Sequence, residues 1–186
     1  GFDNYLGGRL AAQYLLEGGH TRIGIVTGDI AELSAAERRR GFVDAIEQSG
    51  KQFDSALCAE GDYRFGSGYR AADQIIDGGA TAVFCCNDVM ALGFRQRMAE
   101  RGLRVTEDMQ VIGYDNILKR FGLGWRMTTV EQSVTDLAAA CWDMLCGRID
   151  VSVHTKSGMD SVAARPWLSD PQVEVLTPKL VQAACS

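Results

Sequence analysis

Apolar positions follow two different periods along the chain. Short, nearly continuous apolar runs predict buried strands, and longer segments with apolar residues three and four apart predict helices that pack on them. The predicted strands cover residues 23–26, 56–59, 81–86, 111–113 and 127–130. The predicted helices cover residues 8–19, 35–48, 66–76 and 89–101, and a further amphipathic stripe runs over 134–145.

Strand and helix alternate with short connections. This order predicts a doubly wound α/β fold, in which helices cover both faces of a parallel sheet. The stretch 149–171 is polar, contains two of the three prolines and has no period, so we expect a long loop there. Residues 173–176 and 180–181 predict a returning strand that is interrupted near Pro178.

Two helices have recognisable internal signals. Ser34 and Glu37 form an S-x-x-E capping box, which predicts that Ser34 is the N-cap of the second helix. Apolar spacing predicts which side chains of the two helices face inward. They are Phe42, Ala45 and Ile46 in the second helix, and Tyr69, Ala72 and Ile76 in the third.

Acidic or amide residues follow four of the predicted strands. They are Asp29, Asp62, the pair Asn87–Asp88 and the pair Asp115–Asn116. The carboxyl ends of parallel strands lie along one edge of the sheet, and open α/β folds bind ligands there. The pattern therefore predicts a polar-lined ligand cleft at that edge.

Arg38 is the first candidate for a ligand contact. It lies four residues before Phe42, so we expect it on the inner side of its helix while Arg39 and Arg40 face outward. A buried guanidinium must be paired or must line a wet cleft, and its donors suit carboxylate, phosphate or vicinal hydroxyl groups. The alternative is a solvated, arginine-rich helix face.

Asp115, Asn87 and Tyr63 are further candidates. Asp115 follows an apolar strand, where a carboxylate can accept hydrogen bonds from ligand hydroxyls or amines. Asn87 can both donate and accept, as sugar hydroxyls require, and Tyr63 could offer its ring to a sugar or a base. Asp62 and Asp88 could instead be helix caps or turn residues, and we prefer the cap for Asp88.

The predicted helix 89–101 is apolar on two sides. Val89, Leu92 and Ala99 face one way, and Met90, Phe94 and Met98 face nearly the opposite way. One face of a sheet cannot cover both stripes. A second protein surface, in a symmetric dimer, is the resulting hypothesis.

Composition restricts the functional classes. The net charge is −5 and no basic stripe is interleaved with aromatic residues, so we do not expect this stretch to bind nucleic acid by itself. We find no apolar run of membrane-spanning length and no signal-peptide pattern, and we expect a cytoplasmic protein without membrane contact. The first residue is Gly rather than Met, which favours a fragment of a longer protein.

Signatures of catalysis and metal binding are weak. The six cysteines lack zinc-site spacing and are expected to be reduced thiols. The chain contains no G-x-S-x-G, P-loop or H-E-x-x-H motif. We therefore expect no metal, no cofactor and no enzymatic activity.

Several short motifs, taken in order, resemble the LacI/GalR family of bacterial transcriptional regulators. They are DN-x-x-GG from Asp3, GH-x-x-I from Gly19, R-x-x-GF from Arg38, CND-x-MA-x-G from Cys86, VIGYDN from Val111 and TTV-x-Q from Thr128. Each motif alone is weak, but their order and spacing agree over residues 1–148 and again at 178–181.

The resemblance implies an effector-binding domain of the periplasmic-binding-protein type I fold, in which two α/β lobes enclose a cleft. This chain would be mainly the C-terminal lobe, with residues 8–130 as its core. Residues 131–160 would pack toward the first lobe, and 172–186 would return to the second. The stretch 149–171 is longer and more irregular than the usual connection of the family.

The resemblance also assigns residues. The positions that match the effector pocket are Ser34, Arg38, Tyr63, Asn87 and Asp115. It places the helix Asp88 to Arg101 in a homodimer interface, and it places contact with operator DNA in a headpiece outside this chain.

We therefore expect a ligand-sensing domain that binds a small sugar-like effector, or less readily a purine, in an interlobe cleft and controls DNA binding allosterically. A periplasmic solute-binding protein is an alternative with the same fold, and a signal peptide on the full gene product would favour it. An enzyme of the doubly wound class is the other alternative, and turnover of a bound sugar would reveal it.

Overall fold

The computed structural model describes residues 1–118, 127–154 and 175–183. Its helices are α1 (Asn4–Glu17), α2 (Leu33–Gln48), α3 (Phe65–Asp77), α4 (Asp88–Glu100) and α5 (Val134–His154). Its strands are β1 (Ile23–Thr27), β2 (Cys58–Glu60), β3 (Ala82–Cys85), β4 (Gln110–Tyr114), β5 (Thr129–Glu131) and β6 (Lys179–Val181). A short 3-10 helix, Ser55–Leu57, precedes β2.

The strands form a single sheet with the order β2-β1-β3-β4-β5-β6 among the described residues. The first five strands are parallel, whereas β6 pairs antiparallel with β5 at one edge. The doubly wound α/β prediction is confirmed, with an antiparallel edge strand added. The strand order reverses at β1, and folds of this type bind ligands outside the carboxyl ends of the strands at such a point.

Helices cover both faces of the sheet. The ring of Phe84 in β3 stacks on Phe42 of α2, with 5.4 Å between the ring centroids. Gly24 in β1 faces Ile75 of α3 and pairs with Val83, the residue before Phe84. Because successive strand residues point to opposite faces, α2 and α3 lie on opposite sides. The core between these layers is fully buried.

Glycines allow the paired helices to touch backbone to backbone. A Cβ on Gly8 or Gly41 would overlap a main-chain carbonyl of the opposite helix in the α1–α2 pair. Gly68 and Gly93 have the same relation in the α3–α4 pair. The two helices of each pair therefore pack in close backbone contact.

Replacing Gly41 with alanine should destabilise the fold by about 1–3 kcal/mol, as overpacking does in a tight core. The new Cβ would overlap the carbonyl of Tyr5, and a main-chain atom cannot move aside alone. Gly66→Ala is the matched control, because the Cβ there meets only the flexible Arg70 side chain and alanine favours the helix. Urea unfolding of both variants checks the prediction, and a Gly41→Ala variant as stable as Gly66→Ala would contradict it.

The chain divides into two compact units. The larger unit contains residues Asp3–Gln132 and the segment that begins at Thr177, and it includes the whole sheet described above. The smaller unit contains Gly1–Phe2 and the segment from Ser133 to Leu176. Within the smaller unit, Phe2 and Leu176 form an isolated parallel bridge. The chain therefore passes between the units three times.

Two predicted helix starts are wrong. α1 begins at Asn4 rather than Gly8, because the Asp3 carboxylate accepts a hydrogen bond from the Leu6 amide (2.8 Å) and caps the helix. Ser34 is not the N-cap of α2, since the helix already begins at Leu33 and no side chain caps it. The physical reason is the turn at Asp29, whose carboxylate accepts from the Ala31 amide (2.8 Å) and brings the chain into helical geometry early.

Two further predictions need correction. In α3 the buried face consists of Ser67, Gly68, Ala71, Ala72 and Ile75. Tyr69 and Ile76 are only half-buried. The close approach at Gly68 turns the buried face, which does not contain them, toward α4. The predicted loop 149–171 is helical through residue 154 as part of α5. The rest of that loop, and residues 173–174 of the predicted return strand, lie outside the described residues.

Two expectations about composition can be compared with the structure. Cys85 and Cys86 are fully buried free thiols, so they act as small apolar side chains in the core. In the described part of the chain, no helix combines the length and the apolar character needed to cross a bilayer.

Candidate functional site

The candidate site lies at the carboxyl ends of β1 to β4. These four strands are parallel neighbours, so the residues that follow them lie along one edge. Asp29, Asp62, Asn87 and Asp115 are those residues. The predicted polar edge is therefore present. The contacts of each side chain show which of these residues are turn or cap residues and which remain candidates for ligand binding.

Arg38 of α2 contacts the ends of β3 and β4 and is buried, with 7% of its surface exposed. Its Nε donates to Asn4 Oδ1 (2.8 Å) and its Nη1 donates to the carbonyl of Cys86 (2.6 Å). The guanidinium carbon lies 3.8 Å from the centroid of the Tyr114 ring. Such stacking and two directed hydrogen bonds fix the plane of the guanidinium. The predicted inward direction of Arg38 is confirmed.

Tyr63 forms the wall beside Arg38. Its backbone is left-handed, with φ 62°, and its ring lies so close to Gly28 that a Cβ there would overlap it. Burial raises the pKa of the Tyr63 hydroxyl, and contact with Ser34 and the charge of Arg38 oppose that rise. Ser34 and Arg38 thus both act on the Tyr63 hydroxyl, and a shared ligand-binding role for the three residues stays a prediction.

Replacing Gly28 with alanine should displace the Tyr63 ring. The new Cβ would occupy the volume of the ring, and a tyrosine with positive φ has few alternative positions. We expect shifted NMR signals of the Tyr63 ring and a loss of ligand affinity, with the free energy of unfolding reduced by about 1–3 kcal/mol. Spectra that superimpose on those of the unsubstituted protein would contradict this expectation.

Asn87 joins two elements of the edge. Its Oδ1 accepts from the Met90 amide (2.8 Å) as the N-cap of α4, and its Nδ2 donates to the carbonyl of Tyr63 (2.8 Å). Both polar atoms thus have partners in the protein. A ligand contact from Asn87 stays a prediction, and it would use the second N–H of Nδ2 or the second lone pair of Oδ1.

Asp115 directly follows β4 and has an unusual backbone conformation, with φ 95°, and Asn116 comes next with φ 53°. The Asp115 amide donates to the carbonyl of Val130 (2.8 Å). Burial raises the pKa of the Asp115 carboxyl, and the nearby charge of Arg38 opposes the rise. Arg38 and Asp115 therefore place opposite charges at one part of the edge.

Asp88 is not a helix cap, contrary to prediction, because Asn87 holds that position. The Asp88 side chain is buried and turns toward the β4–β5 connection, where Oδ2 accepts from the Ile117 amide (2.8 Å) and Oδ1 from the Thr129 hydroxyl (2.7 Å). Asp62 is a turn residue, as expected, since its carboxylate accepts from the Arg64 amide (3.0 Å).

Sequence reasoning missed Asn4 and Tyr114. Tyr114 is fully buried at the end of β4, so its apolar strand context hides the stacking of its ring on the Arg38 guanidinium. Asn4 belongs to the Asp3–Asn4 pair of the first motif, but its bond to Arg38 depends on the packing of α1 against α2. Among the described residues, no three His, Cys, Asp or Glu side chains form a metal-binding group.

Comparison with known proteins identifies the family of this chain. The periplasmic binding protein-like domain family matches residues 12–165. The HTH-type transcriptional repressor PurR of Pasteurella multocida (strain Pm70) is 40% identical over 149 residues, which are 79% of this chain and 45% of that protein. A LacI family transcriptional regulator from Enterococcus faecalis V583, solved with bound ribose, is 26% identical with a TM-score of 0.77, over 98% of this chain and 60% of that one. The chain belongs to the LacI/GalR family.

A second solved structure supports LacI/GalR membership. The Escherichia coli transcriptional repressor ascG aligns with a TM-score of 0.81 and 25% identity, over 98% of this chain and 61% of that chain. The family resemblance drawn from the ordered motifs is confirmed. The chain spans about half the length of the curated LacI/GalR relatives it matches.

Proposed function

We propose that the carboxyl edge of β1 to β4 binds a small polar effector, most readily a sugar or sugar derivative. The observation that carries this proposal is the fixed guanidinium of Arg38. Its bonds to Asn4 and Cys86 use Nε and Nη1, so Nη2 is the amino group that these bonds leave for a ligand. Asp115 follows β4 at the same edge, and the positive charge of Arg38 opposes the rise that burial causes in the pKa of its carboxyl.

Each pocket residue has a chemical role in this proposal. Vicinal hydroxyls present donors and acceptors side by side, which suits a guanidinium next to a carboxylate. Arg38 donates to hydroxyl oxygens and Asp115 accepts from hydroxyl groups. Ser34 and Asn87 add hydrogen bonds, and Tyr63 packs on the ring. A purine offers a similar edge of donors and acceptors and is the second ligand class to be tested.

The whole protein would use this site to control transcription. A ligand that fits one arrangement of two lobes better than another shifts the population toward it, and a DNA-binding segment outside this chain would respond. Relatives named as transcriptional repressors support this assignment. Such a regulator acts on DNA, so we place the protein in the cytoplasm.

A thermal-shift screen of the full-length protein tests the effector proposal. The panel contains D-glucose, D-ribose, cellobiose, hypoxanthine and guanine. A compound at 100 times its dissociation constant stabilises a protein by about 2.7 kcal/mol, which is easily measured. No shift with any panel compound, in a protein with a cooperative melting transition, would contradict the proposal.

We also propose that α4 meets a second copy of the chain. Beside α4 lies an open groove of about 600 Å³ whose apolar lining is Phe65, Leu92, Ala99, Leu103 and Val105. Phe65 is 44% exposed and extends this apolar lining at the surface, and contiguous exposed apolar patches mark protein–protein contacts. Leu92 and Ala99 of the groove belong to one of the two apolar stripes predicted for this helix, whereas Met90, Phe94 and Met98 of the other stripe are buried in the core.

Sedimentation velocity tests this dimer. Leu92→Asp should convert a micromolar dimer into a monomer, because it puts a charge into an apolar contact. Gln13→Asp adds the same charge on an exposed part of α1 and should leave the dimer intact. A monomeric unsubstituted protein at micromolar concentration would contradict the proposal.

A further inference from the structure

The turn that presents Asp115 is strained. Asp115 and Asn116 have φ values of 95° and 53°, and each non-glycine residue in such a region costs about 1–3 kcal/mol unless its surroundings enforce it. The turn therefore needs contacts that hold it in place. One is the bond from the Asp115 amide to Val130, which fixes the start of the turn but not its continuation.

The Asp88 carboxylate supplies the main-chain contacts that follow, and the Asn116 side chain separately donates to Glu131 Oε1 (3.1 Å). The Ile117 amide donates to Asp88 Oδ2 at 2.8 Å. The Asn116 amide lies 3.4 Å from Thr129 Oγ1, whose hydroxyl donates to Asp88 Oδ1 at 2.7 Å. The two amides directly after Asp115 are therefore bound, one directly and one through Thr129, to a single carboxylate.

The surroundings accommodate this carboxylate in a specific way. A Cβ on Gly113 would overlap Asp88 Oδ1, so a glycine in β4 leaves the space that the carboxylate occupies. Asp88 is the first residue of α4, where the helix dipole favours a negative charge. Only 1% of the residue is exposed, so these neighbours determine its position.

A role as a simple helix cap does not account for these contacts. A cap bonds the first amides of its own helix, and Asn87 already does so through Met90. Asp88 instead links the start of α4 to the β4–β5 connection. Burying a carboxylate reduces stability unless it is bonded, and the bonds of this carboxylate go to the turn that carries a predicted ligand residue.

We propose that Asp88 is a positioning residue that holds the Asp115 carboxylate in its effector-binding orientation. This inference rests on the proposed function, since Asp115 is its ligand contact. Asp88 itself is buried behind the turn and would not touch the effector. Its effect on binding is transmitted through the amides of Asn116 and Ile117.

Hydrogen exchange of the full-length protein, measured by mass spectrometry without ligand, tests the contact. Asp88→Ala should increase exchange in a peptide covering residues 114–118 by about tenfold or more, since local opening then lacks its restraint. Asp88→Asn keeps an acceptor for the Ile117 amide and should stay within about twofold. Thr129→Val removes the link to Asn116 and should give an intermediate increase, which keeps the test decisive if Asp88→Ala does not fold.

Ligand titration provides the second arm. Each panel compound that binds the unsubstituted protein should bind Asp88→Ala at least about tenfold more weakly, the loss expected for one misplaced charged contact, and should bind Asp88→Asn with nearly normal affinity. Val83→Ala, a buried core change in β3, is the control for lost stability and should leave affinity unchanged.

The outcomes separate the two proposals. Unchanged exchange at 114–118 in Asp88→Ala, or faster exchange with unchanged affinity, would overturn the role of Asp88. An equal loss of affinity in Val83→Ala would also overturn it, because general destabilisation would then be sufficient. If no panel compound binds the unsubstituted protein, the proposed function fails, while the ligand-free exchange measurement still decides whether Asp88 holds the turn.

Discussion

Replacing Arg38 with alanine should weaken effector binding by about 1.5 to 3 kcal/mol, the usual range for a hydrogen bond to a charged group. This corresponds to a roughly ten- to hundredfold rise in dissociation constant. The guanidinium is already held by Asn4, Cys86 and the Tyr114 ring. A ligand therefore does not have to order this side chain, and most of the contact energy appears as affinity.

Two further variants make the Arg38 experiment specific. Arg38→Lys keeps the charge but loses the planar fork that stacks on Tyr114 and reaches two partners, so it should recover little of the lost affinity. Arg39→Ala removes the neighbouring, half-exposed arginine and should leave affinity unchanged. Calorimetric titration with a panel compound measures the affinity of all three variants. Unchanged affinity in a folded Arg38→Ala variant would contradict the assignment of Arg38 as a ligand contact.

Arg38→Ala should also lower the free energy of unfolding. The substitution leaves the buried Cys86 carbonyl without its Arg38 donor, and an unsatisfied buried acceptor costs about 1–3 kcal/mol. Asn4 Oδ1 loses one donor but keeps Gln132 Nε2 at 3.5 Å. The binding measurement therefore requires conditions in which the melting transition shows the variant to be fully folded.

Some parts of the site follow from local sequence rules and others do not. The positions of Arg38 and Asp115 are predictable, because helical spacing and the end of an apolar strand each fix a side chain relative to its own element. The partners of Arg38 are not predictable in this way. Asn4 and Tyr114 come from a helix and a strand distant in sequence, and only the close packing of those elements brings them to the guanidinium.

The cap of α4 shows the limit of a local rule. Asn87 and Asp88 are adjacent and both are favoured N-caps, so propensity alone cannot assign the role. The position at which the helix begins decides between them, and this follows from the end of β3 at Cys85. The capping pattern also selects the wrong residue in α2. The turn at Asp29 makes α2 begin at Leu33, one residue before the predicted N-cap Ser34.

Asp88 also leads to a prediction about pH. Burial is the main cause that raises its pKa from 3.8 to about 6, and Asp115 adds to the rise, while bonds from Thr129, Ile117 and Leu118 oppose it. A carboxyl with a higher pKa in the folded than in the unfolded state binds its proton more tightly when folded. Its contribution to stability therefore falls as pH rises from about 4 to about 6 and is constant above that.

The difference between the unsubstituted protein and Asp88→Asn isolates this contribution. The shift of about 2 pKa units corresponds to about 3 kcal/mol, so the unfolding free energy of Asp88→Asn should rise relative to the unsubstituted protein by up to that amount between pH 4 and pH 7. Urea unfolding at several pH values measures the difference, and two parallel curves would contradict it.

The neighbours of Asp88 determine how the pH result is interpreted. Asp115 is the acidic group that acts on it, and burial raises the pKa of Asp115 as well, so both groups contribute in the same direction. Burial also raises the pKa of the nearby Cys85 thiol, well above its usual value, so the thiol stays neutral over this range. The variant Asp115→Asn and the double variant Asp88→Asn/Asp115→Asn separate the contributions of the two carboxyls to the pH dependence. If Asp88 titrates as expected, its contribution persists in the Asp115→Asn background and is only reduced by the loss of the neighbouring charge.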